Sequence, residues 1–424
     1  MRAVTEHPVR LVVEGDLRRN RLTVFFRLLL AIPHIIWVLL WTIAVVVAAI
    51  VGWIAALFSG RLPGGLHRFF CRYLRYQVHL SAYLAIAADP YPPFAGEEDT
   101  YPVDVRLPTE PLPQRRATIL VRIVLAIPAL LVSAALGGSG GLRLPSRSRR
   151  GYTAGGGGAL TFACSILAWF TSVVRGRTAK GLRDASAYAI GYGAQTGSYV
   201  LLVTDRYPNA DPTAMLAGVD RPPLHPVRLV GDPHELRRSR ATVFFRLLLA
   251  VPHIVWLALW TIALILASIA NWLVTLFRGR PAGALHRFTC AWIRYRLHVY
   301  AFLYLVANPF PGFVGDPSRY PLNVELPPPG RQNRWKTGFR IVLAIPAIAV
   351  NGALGTALFA TAVLTWFHAL TRGSATWGLR NLAAYALRYQ SQLDAYVLFV
   401  TDAYPHASPL EGAPTPRHEF AEAA

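Results

Sequence analysis

Four basic side chains fall on one helical stripe: Arg68, Arg72, Arg75 and His79 recur at spacings of four, three and four. Residues three and four apart share a helix face, so the segment 65–88 gathers guanidinium and imidazole groups suited to phosphate or carboxylate oxygens. A second segment repeats much of the stripe as Arg287, Arg294 and His298. Leu66, Phe70, Tyr73, Leu74 and Leu80 supply apolar surface elsewhere on the first helix. The combination predicts a helix lying in a lipid headgroup region. Orientation in a membrane by snorkelling arginines is the plainer reading, and recognition of anionic headgroups is the sharper one.

Reaction chemistry is missing from the sequence: it has no Walker loop, no GxSxG and no dinucleotide fingerprint. The expectation is a non-enzymatic protein with no cofactor. His34 and His253 follow Pro33 and Pro252, and His67 and His286 open the basic segments. No HExxH or paired acid accompanies them, so packing inside a bundle is favoured over a metal or proton-relay role. Cys71, Cys164 and Cys290 are scattered without CxxC or zinc spacing. Asp394, with Gln390 and Gln392, is the most polar patch in a basic-helix equivalent, and lining a transport cavity or facing the interface would each explain it.

The elements that position these residues are apolar. Of 424 residues 54% are hydrophobic and 15% charged, with mean hydropathy +0.35, against about 25% charged in soluble domains. The stretch 22–58 contains one charge, Arg27, and 247–277 contains none. Such runs read as membrane segments. The net charge of +21 comes from 43 cationic residues, of which only Lys180 and Lys336 are lysines. With this hydropathy, that excess points to membrane orientation and lipid contact, with no nucleic-acid motif. The first apolar run exceeds a signal-peptide core, so the N-terminus is expected to be retained and cytoplasmic.

One unit recurs four times. Around Gly60, Gly176, Gly279 and Gly373, Trp lies seven residues before, Leu six after and Tyr sixteen after. Asp89, Asp205, Asn308 and Asp402 follow at twenty-nine, then an aromatic-Pro pair. Each copy also has Arg six residues before Pro: Arg27, Arg122, Arg246 and Arg340. The copies occupy 8–100, 101–212, 226–319 and 320–409, before a polar tail at 410–424. The strings HPVRLVVEGDLRRNRLTVFFRLLLAIPH, LFSGRLPGGL and AYLAIAADPYPPF resemble an actinobacterial membrane family labelled domain of unknown function 4389. That resemblance implies a membrane location and no established activity; Ala129 and Ala347 depart from its pattern, replacing the His of AIPH in the even copies.

The second copy carries a Gly/Ser/Arg-rich insert at 137–158, entering at the equivalent of Thr42. Its four arginines, Arg143, Arg147, Arg149 and Arg150, cannot sit in hydrocarbon, where each costs roughly 2.5–3.5 kcal/mol. The insert therefore predicts that each apolar run is a hairpin, turning at Thr42, Thr261 or the Asn351, Gly352 and Gly355 cluster. The expected fold is an all-α integral membrane protein with about eight transmembrane helices as four hairpins, or twelve if the basic helices cross. Interfacial amphipathic helices and short extended segments at 8–14, 101–107, 226–230 and 320–326 would lie at one face. In that arrangement all Lys and Arg outside the insert share one side, as the positive-inside rule favours. The expected role is a multi-pass cell-membrane protein presenting a basic cytoplasmic face to anionic lipid or protein partners. A transporter built on the repeats is the competing class.

Overall fold

A computed structural model describes residues 7–137, 160–231, 236–316 and 320–412. All but the first residue of the insert at 137–158, and all but the first three of the tail at 410–424, lie outside the described residues. Each copy runs from a short strand to an outer apolar helix and then an inner helix. The first contains β1 (Arg10–Val13), α1 (Arg21–Phe25), α2 (Arg27–Leu30), α3 (Ile32–Ser59) and α4 (Gly64–Leu84). The second contains β2 (Val103–Arg106), α5 (Arg116–Leu136), α6 (Leu160–Arg175), α7 (Lys180–Val200) and the single turn α8 (Pro212–Met215). The third contains β3 (Arg228–Val230), α9 (Arg240–Phe244), α10 (Arg246–Arg278) and α11 (Gly283–Leu303). The fourth contains β4 (Asn323–Glu325), α12 (Arg334–Gly338), α13 (Arg340–Arg372) and α14 (Trp377–Val397).

The anchor glycines are helix stops. Gly60, Gly176, Gly279 and Gly373 all take φ between 68° and 74°, and each N–H closes the last turn at 2.8 Å on the carbonyl four residues back. Glycine enters this left-handed region without the Cβ penalty. The outer helix ends there, and the chain turns into the inner one.

The hairpin turn expected inside the apolar run is not formed. α3 passes through Thr42, α10 through Thr261, and α13 through Asn351, Gly352 and Gly355. Thr42 and Thr261 return their hydroxyls to the carbonyls of Val38 and Leu257, both at 2.6 Å, so neither breaks the helix. Among the described residues four helices are long and apolar enough to cross a membrane: Arg27–Ser59, Arg116–Leu136, Arg246–Arg278 and Arg340–Arg372. Only the second copy divides its run, into α5 and α6. These remain adjacent, with Thr161 Oγ1 donating to Leu136 O at 3.0 Å.

The inner helices are also placed differently from the expectation. They do not lie exposed along a surface; α4, α7, α11 and α14 form the buried centre, and almost every side chain of α7 is covered. α4 packs on α7, and α11 on α14. The strands form two antiparallel ribbons, β1 with β2 and β3 with β4, so consecutive copies interlock. Gln195 of α7 donates to Val9 O just before β1 (2.9 Å), and Gln392 of α14 to Val227 O just before β3 (3.1 Å).

The two halves meet through their even copies, by paired contacts. Asp184 accepts from Ser408 Oγ and Asn381 Nδ2 donates to Asp211, both at 2.9 Å. Gly181 lies against the backbone of Ala407 and Ser408, and Gly378 against that of Ala210 and Asp211; a Cβ at either would stand 3.0 Å from a backbone nitrogen. Each contact thus recurs in the opposite direction between equivalent positions of the other half, as across a twofold axis. This seam covers the outer helices unequally. The most apolar windows of the second and fourth copies are 44% and 39% buried, those of the first and third only 11% and 17%.

Candidate functional site

Arginine is used in two ways. The first is structural and identical in all four copies. Arg27, Arg122, Arg246 and Arg340 lie at or within two turns of the starts of the outer helices and are at most 2% exposed. Arg27 Nη1 donates to the carbonyls of Tyr83 (2.6 Å) and Ala88 (3.1 Å), and Nη2 to Asp89 (2.9 Å). Arg122 does the same with Tyr199, Thr204 and Asp205. Arg246 bonds Phe302, Ala307 and Asn308, and Arg340 bonds Tyr396, Thr401 and Asp402. Each guanidinium also lies 4.3–4.7 Å from the ring of the aromatic residue whose carbonyl it holds, a cation–π geometry. The clamp binds one carbonyl from the last turn of the inner helix and one from the segment that follows it, so it ties the helix end to its exit turn.

A second side chain, eight positions upstream, completes the clamp. Each inner helix is followed by a left-handed non-glycine residue: Ile86, Leu202, Leu305 and Phe399. The carbonyl of that same residue accepts from Arg19, Gln114, Arg238 and Gln332 in turn. The backbone N–H of each of these four donates at 2.8 Å to the stop glycine of the partner copy in its half: Gly176, Gly60, Gly373 and Gly279 respectively. Strained backbone persists where its surroundings hold it, and here side chain and main chain do so together.

The basic stripe is divided by the fold. Arg68, Arg72 and Arg287 are exposed, Arg294 is half-buried, and Arg75, His79 and His298 are buried. Arg75 reaches Val105 O (3.3 Å) and Glu98 (2.6 Å). His79 donates to Asp104 at 2.9 Å and packs on Tyr101, and His298 stacks on Tyr320 beside Asn323. Spacing alone gathered these seven as one face; burial separates fold-holding groups from free ones. Burial pushes the Asp104 carboxyl up. The His79 hydrogen bond and charge and the N–H groups of Val105 and Asp99 outweigh it, leaving the carboxyl below its ordinary 3.8. A depressed carboxyl contributes stability above its unfolded pKa and loses it as pH falls. Asp104→Asn is therefore expected to lower thermal stability by about 1–2 kcal/mol at pH 7. The gap from the parent should close below about pH 4, as melting curves across pH would show.

The remaining polar groups are tied into the fold. His34 Nδ1 is hydrogen-bonded to the Tyr76 hydroxyl (2.7 Å), and His253 to Tyr295 (2.8 Å). Their rings stack on Phe94 and Phe313. His67 and His286 donate to the carbonyls of Pro108 and Pro327. Asp394 pairs with Arg296, joining α14 to α11, and Gln392 bridges Val227 and His406. Cys71, Cys164 and Cys290 are buried free thiols. Among the described residues no group of three His, Cys, Asp or Glu is placed to hold a metal.

The clamp partners were not identified from sequence, where the Asp/Asn-x-aromatic-Pro endings read as turns. A signal was present: Arg and its Asp or Asn are 62 apart in three copies and 83 apart in the copy carrying the insert.

The fold and its arginine clamps define a mostly helical protein of four interlocked units, carrying four helices long and apolar enough to cross a membrane. Residues 21–96, 240–314 and 334–408 match the model of DUF4389, a domain of unknown function. These stretches make up more than half of the chain, which belongs to that family. The second copy lies outside the matched stretches, yet it forms the same clamp. No curated protein and no solved structure matches the chain.

Proposed function

We propose that this is a non-enzymatic integral protein of the cell membrane whose arginine-rich face meets anionic lipid. One observation carries the reading: Arg68, Arg72 and Arg287 stand exposed beside lipid-like apolar helices. Arginine clusters at a membrane surface attract anionic headgroups. The positive-inside rule would put this face and the N-terminus in the cytoplasm. A protein partner with acidic side chains would use the same face. The transport reading has less support, because Asp394 and Gln392 are engaged in bonds between elements. Reconstituted protein should bind vesicles with 30% anionic lipid at least several-fold better than neutral ones, and salt should weaken the preference. Equal binding to both vesicle types would sink the proposal.

A second reading concerns how the outer helices sit. A helix of 33 residues is about 50 Å long, against a hydrocarbon core of about 30 Å, so a crossing would be strongly tilted. The arginine-bearing insert enters halfway along the equivalent run, and arginines flank both ends of these helices. That pattern favours helices embedded along one leaflet. Cysteines at Arg21 and Arg61 discriminate: labelling from the same side supports embedding, and labelling from opposite sides supports crossing.

A further inference from the structure

The outer and inner helices of the first copy enclose a groove that the fold does not fill. Trp37, Trp41, Phe69 and Phe94 wall it, Arg68 and Arg72 line it, and its volume is about 670 Å³. Spaces of this size accept small amphiphiles. The walls are held in place. Trp37 Nε1 donates to Phe94 O at 3.2 Å, Phe94 stacks on the buried His34 at 4.1 Å, and Trp41 packs against Phe69 and Tyr73. Gly96 (φ +61°) lets the Phe94 loop press onto α4; a Cβ there would stand 2.1 Å from Arg72 O.

Charge argues for the occupant. Arg68 and Arg72 are four residues apart, so they share a helix face. Both are exposed, and neither forms an ion pair among the described residues. An aromatic trough lined by two guanidinium groups is complementary to an acyl chain joined to a phosphate. The even copies use the equivalent positions otherwise: Asp184 and Asn381 replace Arg68 there and close the seam between halves. The third copy has Trp256, Trp260, Phe288, Phe313 and Arg287 at the equivalent positions, but Ala291 replaces Arg72.

We propose that the first-copy groove holds one phospholipid with a phosphomonoester head, its phosphate between Arg68 and Arg72 and one chain along the aromatic wall. The equivalent third-copy face, with a single arginine, holds the same lipid more weakly. This inference rests on the reading that the protein sits in anionic lipid.

The test uses full-length protein in neutral detergent, mixed with dioleoyl phosphatidic acid and dioleoyl phosphatidylcholine, with retained lipids counted by native mass spectrometry. Wild type should retain phosphatidic acid preferentially. The Arg68→Gln/Arg72→Gln double variant should lose roughly tenfold or more in retention. Gly65→Leu should also reduce it, because Gly65 lines the groove and a Cβ there meets nothing within 4 Å. Undiminished retention in both variants overturns the proposal, and so does displacement of the lipid by millimolar inorganic phosphate. If these variants retain no less lipid while wild type still prefers anionic vesicles, only the groove assignment fails. Loss of the vesicle preference itself would remove the broader reading.

Discussion

Replacing Arg27 by Met should destabilise the protein by about 3–5 kcal/mol, the range for removing one partner of a buried charged pair. Met keeps most of the side-chain volume, so the loss would report the polar contacts. The substitution removes the guanidinium donor from the carbonyls of Tyr83 and Ala88, the first keeping only its bond from the Ile86 N–H, and leaves Asp89 without its cation. Asp89 is 28% exposed at its side chain, so solvent softens its share, and the two carbonyls carry most of the effect. Asp89→Asn should cost under about 1.5 kcal/mol, because Asn308 already serves the same clamp in the third copy. Thermal unfolding in detergent measures both. Equal losses for the two variants would show that the Arg–Asp charge pair, and not carbonyl capture, holds the inner helix end.

Gly96→Ala is the second large effect. The residue sits in the left-handed region, where a Cβ costs about 1–2 kcal/mol, and that Cβ would overlap the carbonyl of Arg72 on the α4 backbone. Backbone on both sides cannot yield as a side-chain tip does. The expected loss is at least about 2 kcal/mol, with Phe94 lifted from His34 and the Trp37 environment changed, visible as altered tryptophan fluorescence. Gly315 in the third copy has the same conformation and meets Ala291 O, so Gly315→Ala should behave alike. Gly65→Ala, with open space around it, serves as the neutral control.

Much of the architecture was legible. The fourfold unit was readable because each copy must repeat the same local solutions: a glycine stop, an arginine at the outer helix start, and an Asp or Asn after the inner helix. The extended segments were also placed correctly, since Val103 and Val105 alternate in a way that suits a half-buried strand. The apolar run misled at Thr42. An insertion of cations argues against burying that point in hydrocarbon, but it does not require the homologous helices to bend there. The basic stripe misled for a related reason. Periodicity fixes which residues share a helix face, and it cannot distinguish a face turned to water from one turned to backbone carbonyls.

The sequence by itself determined the repeat, the family and the apolar segments, because these depend on residue types and spacing along the chain. The tertiary structure decided which arginines are free. Arg27 and Arg75 are consumed by acceptors 23 to 62 residues away, whereas Arg68 and Arg72 meet none among the described residues. It also decided that the even copies join the halves while the first copy keeps an open aromatic groove. Both outcomes depend on which carbonyls and surfaces arrive from distant parts of the chain, and local spacing carries no information about that arrival.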